Sequence, residues 1–193
     1  ATQLGRKLGR RKKADIVLID ANPTHLWKPL LHEVASGALD SGIDELNYRA
    51  HGKVHGFNFQ LGRMSGLKRD QHQVILAPIY DEQGELIVPE RSVSYDTLVI
   101  AIGSVTNDFG KPGAKQHCIF LDSREQAERF HRTLLNEFLR ASNSENPRNL
   151  EIAIVGAGAT GVELSAELYN TAEVLSSYGL KNVSPRQLNV TLA

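Results

Sequence analysis

Cysteine is nearly missing from this chain: Cys118 is the only one in 193 residues. A lone thiol rules out a disulfide framework within the chain and points to a reducing compartment. A surplus of either charge is missing too. The 22 basic residues balance 22 acidic ones, which argues against a general nucleic-acid binder, because such proteins show a strong basic bias. No apolar run approaches the length of a bilayer span, and no signal-peptide pattern is visible. Solenoid-type repeats and low-complexity tracts are absent as well. What is present is enough chain for a sizeable core and one or two domains.

The chain is organised around residues 151–167. Ile152 to Val155 is a short apolar run, the pattern of a strand buried on both faces. Gly156, Gly158 and Gly161 follow in G-x-G-x-x-G spacing. Val162, Leu164, Ala166, Leu168, Tyr169, Ala172 and Leu175 then supply the apolar positions of a helix. Strand, glycine turn and helix in that order are the setting in which the motif binds a dinucleotide. Gly156 permits the turn, Gly158 lets the backbone approach a pyrophosphate, and Gly161 lets the helix pack close to the strand. The helix N-terminus offers free N–H groups and partial positive charge to the phosphates. A glycine turn that serves packing alone is the plainer alternative.

Upstream, residues 1–13 read as a helix. Ala1, Leu4 and Leu8 share a face, and Gly5 and Gly9 weaken it by roughly 1 kcal/mol each. Its basic residues are best read as a solvated helix end. Asp15 to Asp20 reads as a buried strand ending in an acid, the form of the second strand of a Rossmann half. The first strand and first glycine loop are then expected before Ala1. Residues 21–40 read as a loop and a short helix, with Pro29 in its first turn. His25, Trp27, Lys28 and His32 are expected in loops or at the surface. His32-Glu33 opens like H-E-x-x-H, but Ser36 stands where the second histidine belongs, so no zinc site is expected.

Residues 56–103 look like strands joined by turns. Phe57–Met64, Val74–Tyr80 and Leu86–Val88 are strand candidates, with a hairpin turn at residues 81–84. Tyr95 to Gly103 reads as a second fully buried strand, and Ile119 to Leu121 as another short one. Asp122 to Arg140 is expected to be a helix, with Asp122 as N-cap and Glu125 completing a capping box. Residues 141–149 form the best linker. Leu188 to Leu192 reads as the next strand. Cys118, beside Ile119 and Phe120, is expected to be inert.

This order of elements resembles the two-dinucleotide flavoproteins. Within that superfamily it is similar to the single-subunit, non-pumping type II NADH dehydrogenases of the bacterial kind. Three stretches carry the likeness: residues 25–35 (HLWKPLLHEVA), 95–99 (YDTLV) and 154–168 (IVGAGATGVELSAEL). The resemblance implies an α/β, FAD/NAD(P)-binding two-dinucleotide-domain (Rossmann-like) fold, incomplete here, with an antiparallel β-meander. Residues 1–145 would be an FAD-binding domain lacking its first strand and glycine loop. Residues 146–193 would begin the inserted NADH-binding domain.

The resemblance also implies roles. Asp20 would meet the FAD ribose. Lys28, Pro29 and Leu30 would lie near the flavin, backbone groups at Met64 near the adenine, and Ala101 and Gly103 beside the FAD. Gly156, Gly158, Ala159, Thr160 and Gly161 would cradle the NADH pyrophosphate. Glu163 would act near the bound nicotinamide nucleotide. Electrons would pass from NADH through FAD to a membrane quinone, with no metal and no nucleic acid involved. Membrane attachment would come through regions outside this chain, at the cytoplasmic face of a bacterial inner membrane, and a homodimer is allowed. Residues 21–40 hold no cysteine, so the redox pair of disulfide reductases is not expected there. Two alternatives stay open: a related flavin reductase with a soluble acceptor such as ferredoxin, and a noncatalytic NAD-binding sensor module.

Overall fold

The computed structural model describes residues 1–40, 42, 45–146 and 148–193. They form two compact units, one of residues 1–25 and 45–103, the other of 26–44 and 104–193.

In the first unit, Val17–Asp20 pairs in parallel with Asn58–Leu61, placing Asp20 opposite Leu61. The helix Tyr48–His55 connects back to the second strand, and the Asn47 side chain caps it by accepting from the Ala50 N–H. The first strand is half-buried with Val17 exposed, where full burial was expected. A pair of strands covers fewer faces than a wide parallel sheet does. Met64–Lys68, Gln73–Leu76 and Arg91–Ser94 make the antiparallel meander, with Val74 and Leu76 in its core. Ile79–Tyr80 and Leu86–Val88 pair as the expected hairpin, and Asp81 Oδ1 accepts from the Gln83 and Glu85 N–H groups in the turn.

Two further expectations change in this unit. The N-terminal segment is helical over Thr2–Leu4 and then widens into a π-turn over Gly5–Gly9. A Cβ on Gly9 would run into the carbonyl of Gly56, so that glycine is there for close approach, at the cost of regular helix. Residues 95–103 form no strand, and Val99, Ile100 and Ile102 are 74%, 54% and 84% exposed. An apolar run becomes a two-sided buried strand only when neighbours pair with it, and no described strand does.

The second unit is built on three helices. Lys28–Leu30 is a 3-10 turn with Pro29 early in it, leading into Leu31–Ser36. Leu31, Val34 and Ala35 pack with Ala127, Leu134 and Phe138 of the helix Arg124–Ser142 and with Leu164, Leu168 and Ala172 of the helix Ala159–Ser177. Leu150–Ile154 pairs in parallel with Leu188–Leu192 against this core. The Thr171 hydroxyl lies 3.0 Å from the Ser36 carbonyl and ties the short helix to the long one.

The long helix Arg124–Ser142 begins one residue later than the sequence implied. Ser123 is the N-cap and Gln126 completes the capping box. Asp122 is drawn away by Thr106 and Lys28, which leaves the serine hydroxyl to accept from the Gln126 N–H. Residues 119–121 form no strand, and Cys118 is exposed rather than in an apolar setting. The helix runs into the expected linker as far as Ser142, and Pro147 lies outside the described residues.

Candidate functional site

The glycine motif has the shape its spacing implied. Leu150–Ile154 ends, residues 155–158 turn, and Gly158 is the N-cap of Ala159–Ser177. Gly156 has φ +116°, a backbone conformation that side-chain-bearing residues rarely adopt. A Cβ on Gly158 would meet nothing within 4 Å. A Cβ on Gly161 would collide with the Gly156 carbonyl oxygen and lie 3.3 Å from the Leu192 side chain. The third glycine is therefore a packing requirement, while the first two face open space. No side chain caps the helix N-terminus, and no acidic residue sits in its first turn. Its N–H dipoles are free to meet an anion. Ala159 and Thr160 are exposed beside them.

Glu163 follows on the same helix, its side chain 53% exposed. Its Oε2 lies 3.6 Å from Nδ1 of His32. His32 is buried, against the expectation of a loop or surface group, because it shares the short Leu31–Ser36 helix with core residues on both sides. Its Nε2 lies 3.9 Å from Glu33 Oε1.

Lys28 belongs to a second cluster in the same unit. Its Nζ donates to the Ser104 carbonyl at 2.6 Å and to Asp122 Oδ1 at 3.1 Å. Thr106 donates to Asp122 through both its N–H, at 3.0 Å, and its hydroxyl, at 2.9 Å. Burial alone would raise the Asp122 pKa. The Thr106 N–H, the Lys28 ammonium and the Thr106 hydroxyl outweigh it and hold the carboxyl below the usual aspartate range. Pro29 is exposed and Leu30 half-buried in the turn that Lys28 opens.

In the first unit, Asp20 closes its strand with both carboxylate oxygens engaged. Oδ1 accepts from the Asn22 N–H at 2.9 Å, and Oδ2 accepts from the Tyr48 hydroxyl at 3.0 Å. Nδ1 of His25 lies 3.0 Å from the same hydroxyl. Burial, then the charge of Asp20 and its hydrogen bond, push the Tyr48 phenol above its ordinary pKa. The Gly62 N–H donates to the Asp20 carbonyl at 2.8 Å, which brings the start of the Met64 strand beside the end of the Asp20 strand. Ala101 and Gly103 are exposed in the irregular run, Gly103 at φ +72°.

Tyr48, Thr106 and the burial of His32 were not legible from sequence. The first two are ordinary polar residues far in sequence from their partners, with no spacing to mark them. For His32, five buried positions out of six in one short helix leave no polar face for periodicity to detect. Among the described residues no group of His, Cys, Asp and Glu is arranged to hold a metal.

Comparison with known proteins places the chain. It is 50% identical, over its whole length, to a type II NADH:quinone oxidoreductase of Haemophilus influenzae, of which it spans 47%. The chain thus covers about half of that relative. Its fold is like that of NDH2 from Plasmodium falciparum, solved in complex with NADH: TM-score 0.75, 21% identity, 94% of this chain and 37% of that one. It is also like that of the sulfide:quinone oxidoreductase of Aquifex aeolicus: TM-score 0.67, 16% identity, 99% of this chain and 39% of that one. Residues 1–191 match the family described as pyridine nucleotide-disulphide oxidoreductase. The chain belongs to the pyridine nucleotide-disulphide oxidoreductase family.

Proposed function

We propose that the full-length protein carries electrons from NADH through FAD to a membrane quinone. The observation that carries this reading is the glycine loop. Gly156 and Gly158 leave open space before an uncapped helix N-terminus, and Gly161 is pressed against the Gly156 carbonyl. Open backbone before free N–H groups is what a pyrophosphate needs to approach a helix N-terminus. The half-length match to a type II NADH:quinone oxidoreductase supports the choice of donor and acceptor.

In this reading Gly156, Gly158, Ala159, Thr160 and Gly161 bind the NADH pyrophosphate by backbone N–H groups. Glu163, one helical turn beyond Ala159, orients the nucleotide through its exposed carboxylate. The FAD site draws on the other residues. Asp20 presents its remaining lone pairs to a ribose, and backbone groups at Met64 face the adenine. Lys28, Pro29 and Leu30, with Ala101 and Gly103, flank the flavin. Bound FAD supplies the two-electron chemistry, and the chain supplies position and field. Lys28 carries a positive charge held by Asp122, placed to tune that field. Holding donor and acceptor in register lowers the barrier by several kcal/mol, on the order of what positioning contributes elsewhere.

The proposal extends to organisation and place. Residues 1–145 contribute to the FAD domain and 146–193 begin the NADH domain. The enzyme sits peripherally on the cytoplasmic face of a bacterial inner membrane, attached by regions outside this chain, and a homodimer fits the same reading. No helix among the described residues is long and apolar enough to cross a membrane.

The test uses the full-length protein. Purified, it should show a flavin absorbance that NADH bleaches and a quinone analogue restores. Membrane fractions containing it should oxidise NADH faster when the quinone analogue is added. A colourless full-length protein, or NADH oxidation driven by ferredoxin and indifferent to quinone, would overturn the proposal.

A further inference from the structure

We infer that His32 is the positioning residue for Glu163, the group that sets where this carboxylate meets the nucleotide. The inference rests on the reading that the glycine loop holds NADH.

The two side chains are unequal. His32 is rigid: its side chain is 9% exposed, and its helix is fixed by Leu31, Val34 and Ala35 in the core. Glu163 is half in solvent, with its side chain 53% exposed on the helix that the glycine loop opens. Nδ1 of His32 is shielded from solvent, has no hydrogen-bond partner, and lies 3.6 Å from Glu163 Oε2. Buried polar atoms of this kind are nearly always satisfied. The carboxylate of Glu163 is beside it, just beyond hydrogen-bonding distance, and a small side-chain rotation closes the gap. An imidazole with its proton on Nδ1, or the imidazolium, then donates to Glu163. Nε2 faces Glu33 at 3.9 Å, so the ring stands between two carboxylates, one on its own short helix and one on the helix that the glycine loop opens. Glu163 is held at a defined height above the helix N-terminus, and its outer lone pairs remain for a ribose or an amide. The first helical turn offers no carboxylate of its own, since it has no acidic residue.

The experiment exploits amide mimics in the full-length protein. In His32→Asn the side-chain N–H₂ takes the place of Nδ1; in His32→Gln it takes the place of Nε2. NAD⁺ affinity by calorimetry is the readout, with flavin reduction by NADH in stopped flow beside it and the melting temperature as the packing control. His32→Gln should weaken NAD⁺ by about five- to tenfold, the range for a hydrogen bond to a charged group at a half-exposed site. His32→Asn should recover most of that loss. Glu163→Gln should weaken NAD⁺ similarly, and the His32→Gln, Glu163→Gln double variant should be no worse than the worse single one. Glu163→Asp keeps the charge but withdraws it by one methylene, and serves if the histidine variants fold poorly; it too should weaken NAD⁺. Equal loss in His32→Asn and His32→Gln at matched melting temperatures would overturn the inference. So would losses that multiply in the double variant, or a Glu163→Asp protein that binds as the wild type does. If Gly158→Ala weakens NAD⁺ while none of these variants does, the glycine-loop reading stands and the His32 inference falls. If Gly158→Ala has no effect either, the nucleotide site itself falls.

Discussion

The Tyr48 hydroxyl donates a 3.0 Å hydrogen bond to Asp20 Oδ2. The ring is clamped as well, stacked on Phe59 with centroids 5.0 Å apart. Asp20 Oδ1 is meanwhile fixed by the Asn22 N–H. The carboxylate proposed for the FAD ribose is therefore oriented from two sides in advance, with lone pairs remaining on each oxygen. Orientation in advance reduces the entropy lost on binding.

The first prediction follows from that clamp. Tyr48→Phe keeps the stacking and removes only the hydroxyl. The full-length variant should lose about 1–2 kcal/mol of unfolding free energy, the range for a hydrogen bond to a charged acceptor that keeps other partners. It should also purify with less flavin per chain. Urea unfolding and the ratio of flavin to protein absorbance check both. An unchanged midpoint with full flavin occupancy would mean that Asn22 alone orients the carboxylate.

The second prediction concerns alkaline stability. The Tyr48 phenol is raised in the folded state by burial and by Asp20. A raised pKa means that the folded state keeps its proton while the unfolded state, near the ordinary value of about 10, releases it. The stability linked to Tyr48 is thus complete below about pH 10 and is lost as pH rises beyond it toward the folded pKa. Wild type should show an alkaline fall in melting temperature above about pH 10 that is smaller in Tyr48→Phe. Parallel pH–melting curves for the two proteins would contradict the assignment.

Sequence specifies structure most directly where local spacing and tertiary packing agree. The glycine triplet, Leu188–Leu192 and the 81–84 hairpin turn are specified by residues close together in the chain, and the structure has them. Asp122 shows why neighbours can mislead. Its position beside a helix made it the natural N-cap, yet Thr106 and Lys28 claim its oxygens, and both are long-range partners. The 95–103 run shows the opposite failure. Its composition is that of a buried strand, but burial is a property of neighbours, and none of the described strands pairs with it. His32 combines the two: a polar residue in an apolar stretch gives no periodic signal, and only the packing of three helices reveals that it is inside.

The third prediction tests the Lys28–Asp122 pair, 3.1 Å apart with Lys28 half-exposed. Lys28→Met and Asp122→Asn should each destabilise the full-length protein. Their coupling in a double-mutant cycle should be modest, about 0.5–1 kcal/mol, because solvent screens the ammonium. The Asp122 carboxyl is held below its usual range, so its contribution is present above the unfolded value of about 3.9 and is lost as pH falls through the lower folded value. Asp122→Asn should accordingly flatten the acid limb of the stability curve. A coupling of zero with a flattened acid limb would leave Thr106 as the significant partner of Asp122, whereas an unchanged acid limb would mean that neither Thr106 nor Lys28 stabilises the carboxylate on folding.

The last prediction separates two glycines that the motif treats alike. At Gly161 a methyl group would strike the Gly156 carbonyl and crowd Leu192. Gly161→Ala must therefore move the helix or the loop, and overpacking of this kind costs about 1–3 kcal/mol. At Gly158 the backbone is extended, with φ −78° and ψ 179°, which alanine adopts without strain. Nothing lies within 4 Å of the added methyl, so Gly158→Ala should lose less than about 1 kcal/mol, the modest effect of replacing glycine at an N-cap. Binding should rank the two differently from stability. The Gly158 methyl projects into the space proposed for the pyrophosphate, so Gly158→Ala should weaken NAD⁺ by more than about tenfold while the protein remains folded. Gly161→Ala should lose affinity and stability together. Denaturant unfolding paired with NAD⁺ calorimetry on the full-length variants reads both quantities. If Gly158→Ala bound NAD⁺ as the wild type does, the open space before the helix would not be where the phosphates sit, and the glycine loop would return to a packing role.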